Sequence, residues 1–131
     1  MLLAAASPPP PTVEVSVTGL RSAKGQVLVC LTPNRKAFPD CSKDAGSVRM
    51  AVKAVDAANF AVHAPAAGTY AIAVVHDENG NNKLDTAIFL PTEGFGFSRN
   101  PTITVGPPSF KSASFAVAGD MRQSIRMKYM L

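Results

Sequence analysis

The sequence predicts an all-β fold, a single antiparallel β-sandwich of about seven strands of immunoglobulin-like or transthyretin-like type. Two observations carry this reading. Short runs alternate apolar and polar residues with a period of two, as strands with one buried face do. Between them stand clusters of Gly, Pro, Asn and Asp, and nine glycines and eleven prolines in 131 residues leave little room for long helices. Closure into a small barrel is the structural alternative.

Each element follows from its own pattern. Val13-Glu14-Val15-Ser16-Val17-Thr18 alternates strictly, and Val27-Leu28-Val29-Cys30-Leu31 is a nearly continuous apolar run that reads as a central strand covered on both faces. Val48 to Val55 places Val48, Met50, Val52 and Ala54 opposite Arg49 and Lys53, and Phe60 to His63 repeats the alternation. Tyr70 to His76 is the strongest strand and leads directly into an acidic turn. Ala87 to Leu90 is short and apolar and Ser114 to Val117 is a further strand, while Gly94 to Asn100 and Gly106 to Phe110 read as ordered loops carrying aromatic plugs. One last strand alternates Gln123, Ile125, Met127 and Tyr129 with Ser124, Arg126 and Lys128, whose polar face is expected to be wet.

Bulk properties narrow the function. The 47% hydrophobic content is that of a globular chain with one core. Thirteen Lys and Arg residues give a net charge of +4 but are spread along the chain, without Trp and with only two Tyr. That pattern lacks the basic stripe and stacking platform of a nucleic-acid reader, so no nucleic-acid partner is expected. No apolar stretch approaches the ~20 residues of a membrane helix, so no transmembrane segment is expected. Residues 1–11, with their Leu/Ala start and Pro8 to Pro11, read as a signal remnant and a stiff spacer ahead of a single domain at 12–131.

Cys30 and Cys41 are the only cysteines. Cys30 ends an apolar strand and Cys41 lies in a Pro-containing loop able to fold back on it. A disulfide is the expected state, and closing a loop of this length stabilises by about 3 kcal/mol. Two buried free thiols are the alternative; the spacing fits neither a zinc knuckle nor a redox pair. A disulfide implies an oxidising location, periplasmic or extracellular.

Several blocks together resemble a known family. They are Val17-Thr18-Gly19-Leu20-Arg21, Gly25-Gln26-Val27, Gly68-Thr69-Tyr70, His76 to Asn81, Lys83-Leu84-Asp85, Glu93 to Ser98 and Gly106 to Phe110. Their order and spacing are similar to those of the bacterial family catalogued as domain of unknown function 2141. The resemblance implies an exported bacterial β-sandwich with no assigned activity. It departs at Asn82, where the family turn usually has glycine; asparagine tolerates a left-handed backbone well.

The turn from Asp77 to Asp85 carries the candidate chemistry. Calcium loops place oxygen ligands at alternate positions, because a curling backbone directs every second residue at the ion. Asp77, Asn79 and Asn81 supply that alternation, Lys83 stands where a backbone carbonyl serves, and Asp85 takes the ninth place. The glycine at position six and the glutamate at position twelve are missing, so a calcium site here is expected to be weak, ~10⁻⁴–10⁻³ M. Asp, Asn and Gly are equally what a tight structural turn needs, and at this point both readings are open. Glu78 falls on the wrong parity and is expected to face solvent.

No nucleophile elbow, phosphate loop or Cys–His pair is present, so no enzyme is expected. His76, Phe95 and Phe97 form a possible ligand loop near the turn. The leading expectation is an exported, non-catalytic binding or interaction module for a protein or cell-envelope ligand. A self-associating surface protein, and an enzyme or carrier using the His76–Asp77 region, are the alternatives.

Overall fold

A computed structural model describes residues 9–41, 44–80, 93–103 and 106–129. Among the described residues nine strands run in chain order: β1 Thr12–Thr18, β2 Gln26–Thr32, β3 Val48–Lys53, β4 Phe60–His63, β5 Gly68–Asp77, β6 Gly94–Phe97, β7 Phe115–Val117, β8 Met121–Arg126 and β9 Lys128–Tyr129. A 3-10 turn at Ala54–Asp56 and the four-residue helix α1, Phe110–Ala113, are the described helical elements. Two sheets pack face to face as a sandwich. The smaller has the order β4-β1-β8, and the larger β3-β2-β5-β6-β9, with β7 pairing the first residues of β5.

The two sheets differ in how much of them is covered. In β1, Val13, Val15 and Val17 point into the sandwich while the intervening residues are at least partly exposed, which is the strict alternation of its sequence. In β2, Val27, Val29 and Leu31 face the same core, whereas Leu28 and Cys30 face a second one on the outer side of the larger sheet. Strand β5 divides likewise, with Ile72 and Val74 inside and Ala71, Ala73 and Val75 outside. Burial on both faces is why these two strands read as continuous apolar runs.

The second core is roofed by loops. Cys41 is bridged to Cys30 across 5.6 Å between Cα atoms, so the expected disulfide is present. Phe95 and Phe97 are buried there, with Phe38, Ile103 and Phe110 packed against them. Phe95 and Phe97, fully buried, each contribute about 1.5–3 kcal/mol through removal from water.

Three elements differ from the sequence reading. The strand expected through Val55 stops at Lys53, because the Ala54 N–H turns to the Gly25 carbonyl (3.1 Å) and opens the 3-10 turn, leaving Val55 exposed. Gly94 to Phe97 is a strand, not a loop, since it completes the ladder beside Ala73 to His76. The single last strand is two: β8 pairs β1 in parallel, Met127 donates to the Thr18 carbonyl (2.8 Å), and β9 crosses to β6 in the other sheet. The short apolar run Ala87 to Leu90 lies outside the described residues.

Candidate functional site

The end of β5 gathers the polar residues that the sandwich buries. His76 and Asp77 are 0% and 1% exposed. They are reached from β2, where Gln26 pairs with Asp77 in register and its Nε2 donates to Asp77 Oδ2 at 3.0 Å. Gly25, just before β2, has φ +67° and lies against the Asp77–Glu78 backbone; a Cβ there would stand 2.1 Å from the Asp77 carbonyl oxygen. Only glycine meets both demands.

The partners of His76 fix its proton. Nε2 lies 2.8 Å from the Lys24 carbonyl, which only accepts, so Nε2 carries the hydrogen. Nδ1 lies 2.7 Å from the Tyr129 hydroxyl, which donates to it in the tautomer that carries its hydrogen on Nε2. The Tyr129 oxygen in turn accepts the Arg21 N–H at 3.1 Å. Tyr129 reaches this position because Gly94, its partner in the β6–β9 ladder, has no Cβ to collide with the ring. Burial raises the Tyr129 hydroxyl above its ordinary pKa of 10.0.

The chain of contacts continues into the turn. The Arg21 guanidinium lies 4.7 Å from the centre of the Tyr129 ring and donates from Nε and Nη2 to Glu78 Oε1, at 2.8 and 2.6 Å. Ser22 donates to Glu78 Oε2 at 2.8 Å. These bonds from Arg21 and Ser22 hold the Glu78 carboxyl below its ordinary 4.5. Glu78 was expected to face solvent; the structure places it half-buried in this clamp. The Gly80 N–H points back to the Asp77 carbonyl at 3.4 Å, closing residues 77–80 as a tight turn with Gly80 at φ +71°.

Of the residues expected to hold a cation, Asp77 is buried and Asn79 exposed on the turn, while Asn81, Lys83 and Asp85 lie outside the described residues. Among the described residues no three His, Cys, Asp or Glu side chains come together as a metal-binding group. Asp77 and Glu93 each stand one residue beyond the His76–Gly94 pair of the β5–β6 ladder, which brings the two carboxylates to the same end of adjacent chain segments. Glu93, 7% exposed, is pushed above its ordinary 4.5 by burial and further by the charge of Asp77. Phe95 and Phe97, expected on a ligand loop with His76, sit on β6 with their rings in the second core, 6.1 Å apart.

Arg21, Gly25, Gln26, Glu93 and Tyr129 complete this end of the molecule and were not singled out as site residues by sequence pattern. They come from three segments, around residues 21–26, 93 and 129, so no local spacing joins them all. The signal that existed was Glu93, an acidic residue set directly before the Gly-Phe-Gly-Phe run.

A family model described as an uncharacterised protein conserved in bacteria, DUF2141, matches residues 15–126. No curated protein and no solved structure matches the chain.

Proposed function

The chain belongs to the bacterial DUF2141 family, and on that premise we propose that it is an exported, non-catalytic binding module whose turn after β5 holds a weakly bound calcium ion. The observation that carries this is the pair Asp77 and Glu93. Two carboxylates in one buried place repel each other, and a divalent cation between them removes both the repulsion and the cost of burial. Glu93 thus joins Asp77 and Asn79 as an oxygen donor, with Asn81, the Lys83 backbone carbonyl and Asp85 proposed as further ligands from their spacing alone. Oxygen donors of this kind suit calcium.

Three further observations support the reading. Both ring nitrogens of His76 are engaged within the protein, which favours a positioning role over acid–base catalysis. Strand β3 is the outer strand of its sheet, but Arg49 and Lys53 place charge along it, which opposes strand-to-strand assembly. The Cys30–Cys41 disulfide fits an exported protein, periplasmic or extracellular.

Calorimetric melting in calcium and then in chelator tests the proposal. Calcium at ten times a Kd of ~10⁻³ M is expected to stabilise the fold by about 1.4 kcal/mol, a shift of a few degrees in Tm. Asp77→Asn or Glu93→Gln is expected to abolish the shift. A wild-type Tm that is identical in millimolar calcium and in chelator removes the cation from this site.

A further inference from the structure

At the other end of the larger sheet, two segments distant in sequence form an open groove of about 370 Å³ lined by Arg35, Lys36, Ser109, Phe110 and Lys111. We propose that this groove binds a phosphoryl group, held by Arg35, Lys36 and Lys111, with the organic part of its carrier lying on Phe110. The site is separate from the calcium turn and does not depend on it. In the β2–β5 ladder Gln26 faces Asp77, whereas Thr32, from which the Arg35 loop departs, faces Ala71.

The charge of the groove is the first argument. Three of its five lining residues are cations and none is acidic. Among the described residues, none of the three cationic side chains makes a hydrogen bond or ion pair, in contrast to Arg21, which is bound to Glu78. Asp44, on the same loop as Arg35, is held instead by Ser47 and Asn34. Like charges gathered without a counter-ion repel, and an anion between them converts that repulsion into charge-assisted hydrogen bonds. Phosphoryl oxygens suit the set, because Arg offers a planar fork and Lys a compact point charge.

Rigidity is the second argument. The Ala37 and Phe38 N–H groups both donate to the Asn34 carbonyl, the Lys36 N–H donates to Asn34 Oδ1, and the Cys41 bridge closes the loop. Phe38 meets Phe110 edge-on at 6.0 Å and Phe97 at 5.8 Å, so the two basic segments are clamped to one aromatic cluster. Backbones fixed in advance lose less entropy on binding. Phe110 remains only partly buried and leaves part of its ring to a ligand. Helix α1 is too short to contribute as a dipole, and the Ser109 hydroxyl already caps Ser112, so the side-chain cations carry the recognition.

The test is an NMR amide-shift titration of the full chain at fixed ionic strength, with phenyl phosphate and with inorganic phosphate, beside co-sedimentation with phosphatidylglycerol and phosphatidylcholine vesicles. Saturable shifts around Arg35, Lys36 and Lys111 are expected. The triple variant R35Q/K36Q/K111Q, whose spectrum reports whether it folds, is expected to bind at least tenfold more weakly. The variant R49Q/K53Q/R122Q removes the same charge elsewhere and is expected to bind as wild type. Binding of the free phosphates identifies a soluble source; sedimentation with phosphatidylglycerol alone, lost in R35Q/K36Q/K111Q, identifies a lipid headgroup. Two results overturn the proposal: neither probe binds, or both triple variants weaken binding equally.

Discussion

The two ends of the larger sheet meet the same problem, polar groups beside a dense apolar core, in opposite ways. At the Asp77 end the polar groups are inside, and each hydrogen bond there depends on another: Lys24 on His76, His76 on Tyr129, Tyr129 on Arg21, Arg21 on Glu78. At the Cys41 end the frame is mainly apolar, built from Phe38, Phe97 and Phe110 and a disulfide, with the neutral hydroxyls of Thr32 and Ser98 buried beside it, and the charges stand outside. The first arrangement is sensitive to small changes of geometry, because an unpaired buried polar group is costly. The second tolerates changes in its charges but not in its frame.

Gly25→Ala is the sharpest way to break the first end. The new Cβ meets the Asp77 carbonyl at 2.1 Å in a left-handed backbone, and a loss of about 4 kcal/mol or more is expected in urea unfolding. Gly106→Ala is the control: its φ is also positive, +68°, but none of the described residues comes within 4 Å of the new Cβ. The cost there is backbone strain alone, about 1–2 kcal/mol. Equal losses in the two variants would remove the close approach from the explanation.

Cys30→Ala/Cys41→Ala breaks the other end. Releasing an 11-residue separation is expected to cost about 3 kcal/mol in the same measurement. The amide resonances around His76 and Tyr129 are expected to keep their positions, while those around Arg35 and Lys111 move. Movement at both ends would show that the ends are coupled.

The smallest effect is a pH dependence that separates two glutamates at one end. Glu78 titrates below its ordinary 4.5 in the folded chain, so its contribution is complete above that value and is lost as pH falls through the folded pKa. Glu93 titrates above 4.5, so without a cation stability is lost as pH rises from that value through the folded pKa. Glu78→Gln is expected to flatten the acid limb of a Tm–pH curve, by less than about 1 kcal/mol because the pair is still partly open to solvent. Glu93→Gln flattens the limb above 4.5. A curve unaltered by either variant would place both carboxyls in ordinary solvent.

Much of this was legible in the sequence, and the limits have physical causes. Strands β2 and β5 announce their double burial as unbroken apolar runs, β1 its single burial as alternation, and Cys30 and Cys41 their bridge by position. The parallel pairing of β1 with β8 left no mark, because alternation is the same whichever way the neighbour runs. Phe95 and Phe97 read as loop plugs because the glycines around them suggest turns. The structure uses Gly94 to admit the Tyr129 ring, and at Gly96 a Cβ would stand 2.7 Å from the Ile125 side chain. Asp77 was singled out by spacing, but Glu93 meets it through the fold and not through the chain.

The crossing from β8 to β9 has a consequence for the order of assembly. Hairpin-like pairings such as β2 with β3 join residues near in sequence and form without waiting for the rest. The register of Val13 with Met121 closes a loop of more than a hundred residues, and the two residues that follow Met127 then join the opposite sheet. Loop closure on that scale is slow. The sandwich therefore shuts late and from one segment, and until it does, one side of β1 stays open to any other strand.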